Sequence, residues 1–168
     1  MPISGKAIAA GLCALLAGTA AVEPAIAQQP LAEQGRYLTT VGDCISCHTR
    51  AGGEPFAGGR PLNTPFGVIY SANITPDRKT GIGAWTERQF ERALRAGIAA
   101  DGTHLYPALP YTAYTKVTDQ DVHAIYSYIR TVKPVSYIPP GNKMPFPFSI
   151  RALLGGWNMM FQIGRAHV

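Results

Sequence analysis

Cysteine is scarce in this chain of 168 residues, with only Cys13, Cys44 and Cys47. That excludes a fold stapled by several disulfides, and it excludes a closed zinc site built from two cysteine pairs. Charge is scarce too, at 15% of residues, and no run of Lys or Arg occurs. Nucleic acid is therefore not expected as a partner, despite a formal net charge of +5. No Ser/His/Asp signature, phosphate-binding glycine loop or metalloprotease motif is present. The uncharged run from Ala7 to Val22 is short for a membrane span and rich in Ala and Gly.

Glycine (18) and proline (14) are abundant instead, so long irregular loops are expected. The strongest local signal is Cys44-Ile45-Ser46-Cys47-His48. Two thiols and an imidazole at this spacing form the attachment site of a c-type haem. Two thioethers hold the porphyrin edge, and the adjacent imidazole serves as proximal iron ligand. One covalent haem c is the expected cofactor, with Cys44, Cys47 and His48 as its binding residues. Other chemistries share part of this pattern. A thioredoxin-like redox pair would need a surrounding βαβ unit, which is not evident, and half a zinc site would need ligands that His104 and His123 do not supply at the required spacing. A disulfide between the two thiols is compatible with export.

Export is expected from the N-terminus. Lys6 supplies a short basic segment, an uncharged segment follows, and Ala25-Ile26-Ala27 is a small-x-small cleavage signal. Residues 1–27 read as a signal peptide that includes Cys13, and the mature chain starts at Gln28. The expected location is the periplasm, at the outer face of the cytoplasmic membrane.

Three helices are expected, from about Leu31 to Thr40, from Glu87 to Ala96 and from Asp119 to Val132. Thr86 with Gln89 forms a capping-box pattern, and Gly97 is a stop signal. Thr118 is an N-cap, and Val122, Ile125, Tyr126 and Ile129 recur at helical period. Between His48 and Thr86 the chain reads as a loop that wraps the cofactor, with a short strand over Phe66 to Tyr70. A backbone carbonyl of this loop should accept a hydrogen bond from the second ring nitrogen of His48, and Pro61 is the candidate by sequence offset. Arg60, Arg78 and Lys79 are candidates to neutralise the haem propionates.

Several motifs extend the reading. Gly35-Arg36-Tyr37, Pro55-Phe56-Ala57-Gly58-Gly59, Thr64-Pro65-Phe66-Gly67, Asn73-Ile74-Thr75-Pro76-Asp77, Thr80-Gly81-Ile82-Gly83, Leu105-Tyr106-Pro107-Ala108 and Pro110-Tyr111 accompany the Cys44–His48 motif. Together they resemble the first haem domain of the cytochrome c subunits of membrane-bound alcohol, aldehyde or N-heterocycle dehydrogenases. The resemblance implies a mainly α, class I cytochrome c fold: three main helices and long Gly/Pro-rich loops around one covalent haem c. It places the cytochrome domain at 28–138 and a Pro/aromatic-rich linker at 139–162. It also implies electron transfer rather than catalysis: electrons come from a periplasmic dehydrogenase catalytic subunit and leave towards quinone or an oxidase. Membrane association is expected of the full-length protein.

One departure stands out. The family commonly has methionine, the sixth iron ligand, where this chain has Leu109. Met144, in the segment Lys143 to Pro147, is the candidate substitute, with Met159 and Met160 read as packing residues. An open iron site is the other outcome, and it supports a second reading as a haem enzyme or small-ligand sensor. Residues 163–168 read as a sequencing artefact at the end of a truncated gene.

Overall fold

The computed structural model describes residues 30–161. The expected signal peptide and the expected artefact at 163–168 lie outside the described residues. Helix α1 spans Leu31–Val41, α2 spans Cys44–Cys47, and a hairpin follows, with β1 at Pro61–Thr64 and β2 at Gly67–Tyr70. Then come α3 (Glu87–Ala96), α4 (Tyr111–Tyr114), α5 (Asp119–Ile129) and α6 (Leu153–Phe161).

The closest helix pair is α1 with α5, and Gly35 is why they can approach. A Cβ built on Gly35 would sit 2.0 Å from the Ala124 carbonyl oxygen and 2.7 Å from Cβ of Tyr128. Only a residue without a side chain lets the two backbones meet here. Gln34 Nε2 donates to Asp121 Oδ1 across the same crossing at 3.2 Å. The core beneath it gathers Phe56, Ile82, Ile125 and Ile129, with Leu38, Ile74, Phe90 and Leu94 packed around them.

Helix α3 occupies the expected span, and its capping box is complete. The Thr86 hydroxyl accepts from Gln89 N at 3.3 Å, while Gln89 Oε1 accepts from Thr86 N at 2.8 Å. Gly97 ends the helix in the left-handed region, at φ 64°. Buried Arg95 joins this helix to the start of α5 by pairing with Glu91 and with Asp119, the latter at 2.8 Å. Helix α5 is capped by Thr118, as expected, but ends at Ile129 rather than Val132. The N–H and the hydroxyl of Thr131 both donate to the Tyr128 carbonyl, and this tight i to i−3 closure stops the helix early.

The strand at 67–70 has a partner that the composition did not indicate, Pro61–Thr64, in antiparallel register from Pro61 opposite Tyr70 to Thr64 opposite Gly67. The C-terminal stretch beyond 139, expected as a linker, packs back on the domain. Val68 and Lys143 exchange two backbone hydrogen bonds, of 3.0 and 2.7 Å, and Asn142 Oδ1 accepts from Tyr70 N. Helix α6 then places Asn158 and Trp157 against Tyr111. No helix among the described residues is long and apolar enough to cross a membrane.

The Gly35 crossing yields a signed pair of predictions. Gly35→Ala is expected to lower stability by about 1–3 kcal/mol, because the new methyl group overlaps backbone that has to shift. Gly156→Ala, in α6 with nothing within 4 Å of the added Cβ, should be neutral or slightly stabilising. Thr86→Ala should cost about 1 kcal/mol by removing the α3 cap. Chemical denaturation of the three variants beside the parent measures all of these, and equal midpoints for Gly35→Ala and the parent would contradict the close-approach account.

Candidate functional site

Helix α2 is a single turn, entered through Asp43 in the left-handed region (φ 52°) and closed by the hydrogen bond from His48 N to the Cys44 carbonyl at 2.9 Å. This turn sets both thiols and the imidazole along the wall of one cavity of about 670 Å3. That volume lies within the roughly 300–1,000 Å3 range of cofactor sites. Around the cavity stand Leu38 of α1, Ile69 and Tyr70 of β2, Ile74, Ile82 and Trp85 of the wrapping loop, Phe90 and Leu94 of α3, and Leu105 to Leu109 except Pro107. Its walls are predominantly apolar. Cys44 and Cys47 are both free thiols. Burial pushes the Cys44 thiol up to about 11, so it is held protonated.

The orientation of His48 is settled by one contact, from Nδ1 to the Ala72 carbonyl oxygen at 2.7 Å. A carbonyl only accepts, so Nδ1 carries the proton and Nε2 keeps its lone pair for a metal. The ring lines the cavity and is thus reachable from it, yet it is enclosed by protein, and this enclosure holds its pKa below the ordinary histidine value. A neutral imidazole is the form that binds iron.

Ala72 replaces Pro61 as the carbonyl in this role. Residues 61–70 leave and return as the hairpin, so the chain comes back to His48 eleven residues later than a plain loop would bring it. Arg60 and Ser71 pair at the base of that hairpin, with Ser71 N donating to the Arg60 carbonyl at 3.0 Å. Gly58 makes room for the returning strand. It adopts φ 76°, its N–H donates to the His48 carbonyl at 2.7 Å, and a Cβ there would lie 2.5 Å from the Ala72 carbonyl. A backbone acceptor leaves no mark in side-chain sequence, so Ala72 had no signal by which to be found.

Asn73 was marked only through its motif, and the structure explains it. Its Nδ2 donates to the carbonyls of Val135 (2.8 Å) and Tyr137 (3.1 Å), and its Oδ1 accepts from the N–H and hydroxyl of fully buried Thr75. The wrapping loop is thereby locked to the segment after α5, one residue away from the carbonyl that aims His48.

The other expected site residues are placed less centrally. Arg60 Nη1 donates to the Ser46 carbonyl at 2.6 Å and so ties the hairpin base to α2. Arg78 and Lys79 are exposed and do not line the cavity. Leu109 lines it; Met144 does not. The antiparallel pairing of Val68 with Lys143 holds the Met144 backbone against Gly67, where a Cβ on that glycine would meet the Met144 sulfur at 3.0 Å. Met144 therefore sits at the hairpin edge, away from the cavity wall.

The donor set fits a covalent haem: two free thiols and one imidazole with an available lone pair, at the spacing the attachment needs, on the wall of an apolar cavity. Among the described residues no cluster of three or more His, Cys, Asp or Glu side chains offers a rival metal site.

Comparison with known proteins agrees with this geometry. The family model described as cytochrome c matches residues 32–133. A nicotinate dehydrogenase subunit of Pseudomonas putida is 51% identical over 129 residues, which are 77% of this chain and 11% of that protein. The fructose dehydrogenase cytochrome subunit of Gluconobacter japonicus is 47% identical over 176 residues, 99% of this chain and 36% of that subunit. A diheme cytochrome c-type protein of Cereibacter sphaeroides is 37% identical over 134 residues, 77% of this chain and 45% of that protein. The chain therefore spans less than half the length of each of these relatives. With the Cys44–His48 turn, an imidazole aimed by Ala72 and a family match from α1 through α5, the chain belongs to the cytochrome c family.

Proposed function

We propose that this chain is an electron-transfer module, the haem-bearing part of a cytochrome subunit that serves a dehydrogenase. It carries one covalent haem c, receives electrons from a periplasmic catalytic subunit and passes them towards quinone or an oxidase at the face of the cytoplasmic membrane. The observation that carries this reading is the convergence of Cys44, Cys47 and the Ala72-aimed His48 on one apolar cavity. The names of the relatives, which are subunits of nicotinate and fructose dehydrogenases, support the partner. Which substrate the partner oxidises is left to the catalytic subunit.

When bound, the haem supplies a one-electron iron couple. The chain's own residues do the rest. Cys44 and Cys47 would fix the porphyrin edge to the α2 turn. His48 would donate from Nε2 while its Nδ1–H is held by Ala72, which keeps the ring from rotating and raises its basicity. Ile74, Ile82, Phe90 and Leu94 would face the bound group with apolar surface, and the polarity of the surrounding is one of the levers that set the reduction potential. The low charge of the chain and the absence of a catalytic constellation agree with transfer rather than substrate chemistry.

The primary test is the covalent bond. After acid-acetone extraction the haem is expected to stay with the polypeptide, and the double variant Cys44→Ala, Cys47→Ala should release it; haem extracted from the parent protein would refute the reading. His48→Ala should keep the attached haem but displace the optical bands of the reduced protein. For location, mass spectrometry of exported protein is expected to find Gln28 as the first residue, and retention of Met1 would refute cleavage after Ala27.

A further inference from the structure

We infer that the iron's sixth position is left to a small uncharged ligand from solution, of the carbon monoxide or nitric oxide class, received beside Leu105, Ala108 and Leu109. The inference rests on the haem reading above and goes beyond it: it adds a ligand-binding site to an electron carrier.

The argument is an elimination in which each strong iron donor among the described residues has a known place. Among the described residues His48 is the only imidazole that lines the cavity, and no methionine lines it. The Met144 backbone is held by the two hydrogen bonds between Val68 and Lys143, and its sulfur lies against Gly67 at the hairpin edge rather than on the cavity wall. Met159 and Met160 project into solvent, 88% and 73% exposed. The ring of His104 faces α6, where its Nδ1 lies 3.3 Å from Asn158 Nδ2, and a Cβ on Gly155 would meet its Nε2 at 3.2 Å. The His123 ring pairs with the Glu87 carboxylate at 2.9 Å on the far side of α5. Cys44 and Cys47 are consumed by attachment.

Weaker oxygen donors on the wall are mostly committed as well. The Tyr106 hydroxyl donates to the Phe148 carbonyl and the Tyr114 hydroxyl to the Gly42 carbonyl, at 3.1 and 3.0 Å. The Asp121 carboxylate accepts from the Thr118 hydroxyl and from Gln34 Nε2, and the Asp43 carboxylate accepts from the Ser46 hydroxyl. Tyr70 lines the cavity with no hydrogen bond assigned to its hydroxyl, which makes it the phenol to be tested.

The character of the ligand follows from the same wall. Leu105, Ala108 and Leu109 offer no hydrogen bond to a bound anion, and a charged ligand entering an apolar site loses its hydration without compensation. Arg151, the cation on the lining, already donates to the His104 carbonyl and stacks over the Tyr106 ring at 5.0 Å. An uncharged diatomic that binds ferrous iron needs no such partner.

The test uses the full chain matured with its haem, read by optical and magnetic spectroscopy. The reduced protein is expected to be high-spin and to convert quickly and completely to the carbon monoxide form. Met144→Ala and Tyr70→Phe should leave both spectra as they are. Leu109→Met should convert the iron to low spin and abolish fast carbon monoxide binding, because it brings a thioether to the cavity wall. A parent protein with attached haem that is low-spin and slow to bind carbon monoxide overturns the inference while leaving the electron-transfer reading intact. Loss of a low-spin signal in Met144→Ala, or of a phenolate charge-transfer band in Tyr70→Phe, overturns it by naming the internal ligand. Absence of covalent haem from the parent overturns the underlying reading, and this inference with it.

Discussion

The contact between His48 Nδ1 and the Ala72 carbonyl, 2.7 Å long, is the constraint around which the loop half of the molecule is organised. A histidine tethered at the end of a one-turn helix has two rotatable side-chain bonds and two usable nitrogens. One carbonyl removes both ambiguities, because it fixes the tautomer and the ring plane together. Delivering that carbonyl takes structure from well beyond the motif. The hairpin brings the chain back, Gly58 lets the returning backbone within reach, and Asn73 anchors the next residue to the segment after α5. Hydrogen bonds of this kind contribute roughly 1 kcal/mol each to stability, so their main effect here is positional.

The helical half solves a different problem. A chain with few charges and many glycines has limited side-chain core, and Phe56, Ile82, Ile125 and Ile129 form a small cluster. A large apolar cavity next to that cluster would be costly if it stayed empty. A haem bound there would supply the missing contacts, so cofactor and core would form one packing unit. Beside the crossing of α1 and α5 at Gly35, Ile125 and Ile129 belong to the core and to the cavity wall at once.

The segment beyond 139 has a role that composition concealed. Rich in proline and aromatics, it reads as a spacer, yet it extends the hairpin through Lys143 and stacks Phe148 on Phe66, with ring centres 4.7 Å apart. Tyr111, fully buried, donates to Asn158 of α6 at 2.6 Å, so the loop that carries Leu109 is fastened from outside by the end of the chain. The stretch 104–111 and the stretch 148–158 therefore form one wall.

Much of this protein was legible locally. The Cys44–His48 turn depends only on residues within one helical turn of each other, and so do the caps of α3 and α5, which is why Thr86 and Thr118 could be found as caps, and Cys44, Cys47 and His48 proposed for the haem, from the sequence. The resemblance of the motifs to a known family supplied the fold. Other matters belonged to tertiary structure alone: which carbonyl aims His48, where β1 pairs, what holds Met144, and what covers the loop at Leu109. Each turns on residues far apart in the chain, and most are decided by backbone groups. Backbone donors and acceptors are the same at every non-proline residue, so the order of side chains carries no record of which of them will meet.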